Sequence, residues 1–281
     1  MDNTVPTEFQ GLFAEMMGRA DEDIDLARAA LYISCTADPY LDVEYYVKAL
    51  DALAEMAGES VHEEPDLRSQ IRRLGEFLFL HQGFRGDDED YYDPQNSYLN
   101  QVMDRRKGIP ITLSLLYMEV ARRLGMVFEG IGLPGHFVVR TGPPEDELYV
   151  DAFNGGNVMS IDDCQRKIQE LFQGKVEFQE EHLSPYTKKE FLVRILTNLK
   201  YNYFRVKDYR QAIVSADLIA IVDPSLGSNL KERAGFYHAL KLYRMAIRDL
   251  EAYLKLTPPP EDSEEVRGQV RAIWATVAKL N

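Results

Sequence analysis

His136 lies in "LPGHFVVR" (133–140) and Asp151 in "YVDAFNGG" (149–156), two short apolar stretches that read as β-strands. An imidazole from one strand and a carboxylate from the next are the rear half of a catalytic triad. The carboxylate orients the ring and the ring moves a proton. Catalysis needs a thiol or hydroxyl at the ring's other nitrogen. Two cysteines are present, Cys35 and Cys164. Cys35 follows an apolar stripe and reads as a small core residue, and Cys164 falls in a short helix, "IDDCQRKIQELF". Thr112 and Ser114 supply hydroxyls ahead of the strands, and Thr112 is the nucleophile candidate. Gly135, Gly155 and Gly156 sit where backbone approaches a ligand or takes positive φ, although plain turns explain them equally well. His62, His81, His182 and His238 show no i, i+3 or i+4 partnership of the kind a metal site on a helix uses, so no metal and no cofactor are expected.

These residues need elements to position them. "IPITLSLLYMEVARRLG" (109–125) is apolar nearly all round and is expected to be a central helix. Pro110 suits its first turn, where a missing N–H costs nothing, and Gly125 suits its end. Arg122 and Arg123 sit where the helix dipole favours cations. "VFEGIGL", "HFVVR" and "ELYVDAF" follow as strands, "TGPPEDE" is a turn, and "NGGNVMS" leads into the helix carrying Cys164, capped by Asp162 or Asp163. A helix followed by antiparallel strands implies an α+β core. Ahead of it, residues 83–97 form a turn-rich acidic loop anchored by Tyr91, Tyr92 and Tyr98. The basic run "MDRRKG" (103–108) is expected to pair with that loop rather than to bind an anion.

The first 82 residues read as helices. In "LDVEYYVKALDALAEMAG" the residues Val43, Tyr46, Val47, Leu50, Leu53, Ala54 and Ala57 form one stripe, with Asp42 as N-cap and Gly58 as C-cap. From about Thr187 the chain is helical again, and it repeats. Tyr203/Tyr237, Tyr209/Tyr243, Ala212/Ala246 and Pro224/Pro258 are each 34 residues apart, the period of tetratricopeptide helix pairs. The repeated tyrosines are expected in the repeat's core. A last helix, with Val266, Val270, Ile273, Trp274 and Val277 as its stripe, seals the array.

Composition narrows the function. The chain has 281 residues and a formal net charge of -14, with 45% hydrophobic residues. Such acidity argues against a nucleic-acid partner and repels anionic membranes. No apolar run reaches the roughly 20 residues of a membrane span, and the opening residues show no signal peptide. A cytoplasmic location is expected.

"NSYLNQVMDRRKGIPITLSLLYMEVARRLG" (96–125), "GIGLPGHFVVR" (130–140) and "YVDAFNGG" together resemble the transglutaminase-like proteins of the bacterial SirB family. The resemblance implies a helical N-terminal region at 1–82. It implies a transglutaminase/papain-like α+β core with a small antiparallel sheet at 83–185, and tetratricopeptide-like helices at 186–281. In the wider transglutaminase pattern a cysteine starts the central helix, where the dipole lowers its pKa, and His and Asp come from the following strands. Gly108 matches the glycine that opens this pattern, Leu124 and Gly125 its end, and His136 and Asp151 its histidine and aspartate. Pro110 falls on the cysteine. Thr112, two residues on, points about 200° around the axis from that position. The cleft is expected to be lined by Gly108, Pro110, Gly135 and Asn154. The expectation is a non-catalytic protein binding a protein or peptide, in which His136 and Asp151 persist as a pair. The alternatives are a hydrolase or acyl transferase using His136, Asp151 and Thr112, or a scaffold without a pocket.

Overall fold

The computed structural model describes residues 7–143, 146–256 and 261–280. Pro258 of the 34-residue pattern, Pro144 and Glu145 of the "TGPPEDE" turn, and residues 1–6 lie outside them. The chain forms two compact units, one containing the described residues up to Ile195 and the other beginning at Leu196.

The first unit opens with helices α1 (Thr7–Met17), α2 (Leu26–Ser34), α3 (Val43–His62) and α4 (Leu67–Gly75). Asp25, Asp42 and Asp66 cap α2, α3 and α4, each accepting the backbone N–H three residues on. Gly58 does not end α3, which runs on to His62. Gly58 lies on the buried face, where a Cβ would stand 3.5 Å from Leu124, an ordinary packing contact. Past Gly75 the chain winds as a π-helix over Glu76–His81.

Strand β1 (Arg85–Gly86) pairs in parallel with β2 (Lys107–Gly108), with Gly86 opposite Gly108. Between them lie a 3₁₀ turn at Pro94–Ser97 and helix α5 (Leu99–Arg105). The acidic loop and the basic run meet as expected. Arg105 reaches Asp93 at 2.9 Å, and Lys107 reaches Asp87 at 3.4 Å and Glu89 at 3.2 Å. Arg106 instead stacks its guanidinium 4.4 Å from the Phe84 ring centroid. Tyr98 is buried, whereas Tyr91 and Tyr92 stay over a third exposed and lean on each other edge to face.

Helix α6 (Pro110–Arg123) is buried along its first eight residues, 110–117. Pro110 stands at N1, and Gly125 takes φ +82 just past the end. Strands β3 (Glu129–Ile131), β4 (Val138–Thr141), β5 (Leu148–Asp151), β6 (Asn157–Met159) and β7 (Pro185–Tyr186) form one antiparallel sheet in the order β6-β5-β4-β3-β7. β6 and β7 were not legible as strands; both are edge strands of two or three residues, too short to show a period of two. Helix α7 (Ile161–Phe172) is capped by Ser160, not by Asp162 or Asp163. Asp163 is N3 and returns a bond to the Ser160 N–H, closing a capping box. One buried cluster joins Ile131, Leu133, Val138 and Tyr149 of the sheet region to Cys164 and Ile168 of α7.

Helix α8 spans Lys188–Arg205. The second unit continues with α9 (Tyr209–Val222), α10 (Gly227–Ala239), α11 (Tyr243–Tyr253) and α12 (Ser263–Leu280). Boundaries repeat: α8 and α10 end at 205 and 239, α9 and α11 start at 209 and 243, and Lys207 and Lys241 both take φ near +60. Tyr237 is buried in this unit's core, and Tyr203, Tyr209 and Tyr243 pack against it. Val266 and Ile273 of α12 are buried there too, but Trp274 is 48% exposed. It lies about 100° round the helix from Ile273, at the margin of the stripe. The architecture is thus α+β: helices with a five-stranded antiparallel sheet and a two-stranded parallel one among the described residues. No helix among the described residues is long and apolar enough to cross a membrane.

Candidate functional site

The sheet delivers His136 and Asp151 to each other. Along β5 side chains alternate, so Asp151 leaves on the same side as Tyr149, which packs against α7. His136 is held in the turn before β4 by a backbone bond from its N–H to the Leu133 carbonyl, 3.0 Å. Gly135, at φ +69, makes that turn, and a Cβ there would meet the Phe172 ring at 3.2 Å. The His136 Nε2 to Asp151 Oδ1 distance is 2.9 Å, with 8% and 1% of the two residues exposed.

Asp151 has further partners. Its Oδ1 also accepts the Asn154 backbone N–H at 3.2 Å, and its Oδ2 accepts Asn154 Nδ2 at 2.8 Å and Lys167 Nζ at 2.7 Å. Four donors fill the lone-pair sites of one buried carboxylate. Burial opposes its ionisation, but the bonds from His136, Lys167 and Asn154 and the adjacent charge outweigh it. They hold the carboxyl far below the usual carboxylate range. Because the carboxylate is ionised and has no proton to give, Nε2 is the donor and Nδ1 is the ring nitrogen left for a nucleophile.

None of the candidate nucleophiles, Thr112, Ser114, Cys35 and Cys164, is hydrogen-bonded to the ring. Thr112 is at the third position of α6, fully buried, and donates its hydroxyl to the Asn96 carbonyl at 2.7 Å. It also accepts the Ile109 N–H at 3.2 Å. It caps its own helix. Ser114 is buried without a hydrogen-bond partner among the described residues. Cys35 and Cys164 are free and buried, and burial pushes each thiol up to about 12, with Asp163 and Asp151 adding to the shift at Cys164. A thiol held protonated at neutral pH is a poor nucleophile.

What stands beside the imidazole is Phe153, at 6.1 Å between ring centroids and 83° between planes. The same ring packs so closely on Gly86 that a Cβ there would fall 2.6 Å from it, and Tyr91 covers it at 6.0 Å. Gly86 pairs with Gly108, which lies just ahead of Pro110. A Cβ at Gly108 would crowd Thr112 Oγ1 at 3.0 Å. Phe153 thus bridges the imidazole and the strand pair leading into α6. The turn carrying it is fixed from outside. Gly156, at φ +74, would place a Cβ 2.6 Å from Phe79 and 3.1 Å from Gly75 Cα. Beside the pair opens a polar cleft of about 570 Å³, lined among others by Asp151, Asn154, Arg166 and Lys167. No three His, Cys, Asp or Glu side chains gather as a metal-binding group among the described residues.

Sequence reasoning missed Lys167 and Phe153. Lys167 had a signal, since it stands three residues after Cys164, beside the buried face of α7, where a partly buried cation needs a partner. Phe153 had none beyond its place two residues after Asp151.

A family model described as the Transglutaminase-like superfamily matches residues 44–197. The chain belongs to this superfamily. It is 34% identical over 253 residues to a UPF0162 protein of Xylella fastidiosa (strain 9a5c), covering 89% of this chain and 90% of that one. The human F-box only protein 21 is 38% identical over 124 residues, covering 41% of this chain and 20% of that protein. Among solved structures, a crystal structure of menin covers 89% of this chain and 71% of its own at TM-score 0.41 and 12% identity. That likeness is too loose to argue from.

Proposed function

We propose that this transglutaminase-like chain is a non-catalytic protein- or peptide-interaction protein, with His136 and Asp151 kept as a structural pair. The observation that carries this reading is the company of the imidazole. An aromatic ring lies against it, proline starts the central helix, and the candidate hydroxyl, Thr112, is committed to a cap. Asp151 is saturated by Lys167 and Asn154 as well as His136, as befits a carboxylate that pins a turn. The partner is a protein or peptide rather than nucleic acid, and the polar cleft beside Asp151 is its seat in the core. The wider proposal places the chain in the SirB family and in the cytoplasm, in three parts (1–82, 83–185 and 186–281). The 34-residue recurrence of helix ends supports a tetratricopeptide-like character for the last part.

The test is to assay wild type, His136→Ala and Asp151→Asn against p-nitrophenyl esters, peptide p-nitroanilides and amine incorporation into a glutamine peptide, with melting temperature measured in parallel. The expected result is no turnover above background in any of the three and lower melting temperatures in both variants. Turnover by wild type that both folded variants lose would sink the proposal.

A further inference from the structure

A groove of about 560 Å³ in the first unit shares no lining residue with the polar cleft beside Asp151. Its floor is apolar: Ile24, Phe128 and Phe191 are all buried. Gly130 makes that floor possible, because a Cβ there would stand 2.8 Å from the Phe191 ring. Val127 stands at the mouth, 74% exposed.

The rim is acidic and unevenly spent. Asp21 caps the start of α8, accepting the Lys188 and Lys189 N–H groups at 2.9 and 3.0 Å. Asp25 pairs with Arg28, Glu129 with Arg140, and Glu119 with Arg122 and Arg123. The two lining cations are also occupied, Arg122 by Glu119 and Lys188 by the carbonyls of Glu22 and Ile24. Glu22 and Asp23 are left, exposed, with no cation paired to either carboxylate among the described residues. Apolar floor and unneutralised acidic rim match a side chain with a long aliphatic stem and a cationic tip.

We propose that this groove docks a basic segment of a partner protein. Aliphatic side chains lie on the floor, and a lysine or arginine reaches Glu22 and Asp23. A formal charge of -14 draws such a segment in and repels the anionic alternatives, nucleic acid and acidic membrane. The chain's own run at 103–108 is not that segment in a second copy, because it is spent on Asp87, Glu89 and Asp93 and on the Phe84 ring.

The probe is a fluorescein-labelled peptide Gly-Leu-Lys-Arg-Leu-Lys-Gly, read by fluorescence anisotropy with the full chain. Two variants attack the groove: Glu22→Lys with Asp23→Lys at the rim, and Met118→Arg, which puts a cation into it from α6. Glu55→Lys with Glu59→Lys on α3 changes net charge equally, away from the groove. We expect wild type and the α3 variant to bind alike, and both groove variants to bind about tenfold more weakly. A peptide with its leucines changed to serine should also lose affinity. No anisotropy change with wild type overturns the proposal. So does an equal loss in the α3 and rim variants, or full affinity in the serine peptide, since either reduces binding to bulk charge.

Discussion

Asp151→Asn tests whether the buried pair holds the fold together. The carboxylate receives four donors: His136 Nε2, the Asn154 N–H, Asn154 Nδ2 and Lys167 Nζ. An amide of the same shape has one accepting oxygen and turns its N–H₂ toward donors, so about two charge-assisted bonds are lost. At about 1.5–3 kcal/mol each the cost is about 3–6 kcal/mol. The Lys167 side chain is 23% exposed and can turn to water, which favours the lower end. For a unit of this size, about 3 kcal/mol is a fall of about 6–12 °C in Tm. His136→Ala removes one donor and leaves the carboxylate three, so about 1.5–3 kcal/mol is expected. The difference should depend on pH. A carboxyl whose folded pKa is depressed stabilises fully above its unfolded value, near 3.9, and loses that stabilisation as pH falls toward the folded one. The gap between wild type and Asp151→Asn should be flat above about pH 5 and shrink steadily below about pH 4. Urea denaturation of both proteins across that range measures it. A cost under about 0.5 kcal/mol at neutral pH, or a gap that widens on acidification, would refute the saturated-carboxylate argument.

Other expectations follow from the same geometry. Gly156→Ala combines a positive φ with a Cβ 2.6 Å from Phe79 and should cost at least about 2 kcal/mol, whereas Gly155→Ala, with open space at φ +76, should cost about 1; chemical denaturation separates the two. With both thiols buried and held near 12, native protein should show no rapid reaction with a thiol reagent at pH 8, and two reactive thiols once unfolded. In the second unit, Arg233 is 9% exposed and lies between Asp249, at 2.6 and 3.0 Å, and Asp217, at 2.8 Å. Asp249→Ala should therefore cost about 3–5 kcal/mol, read by hydrogen exchange in α9 to α11.

Local physics is what the sequence by itself determined. Asp42 as a cap, Pro110 at N1, Gly125 past the end of α6 and the 34-residue recurrence of helix ends are all visible in it. Each rests on interactions spanning a few residues or on a repeat within one chain segment. The sequence also placed proline at the start of the central helix and an aspartate on a strand, but the histidine it read onto the preceding strand stands in the turn before β4. Tertiary structure alone decided what those residues meet. Gly58 read as a helix end because glycine usually is one, and only Leu124, brought up from just past the end of α6, shows it as a packing position. Lys167 and Phe153 reach the His136–Asp151 pair because a sheet and a helix converge there, not because of any spacing. Edge strands of two or three residues carry too few positions for a pattern and exist only through their neighbours' hydrogen bonds. Periodicity reports which way a residue faces; the fold chooses what it faces.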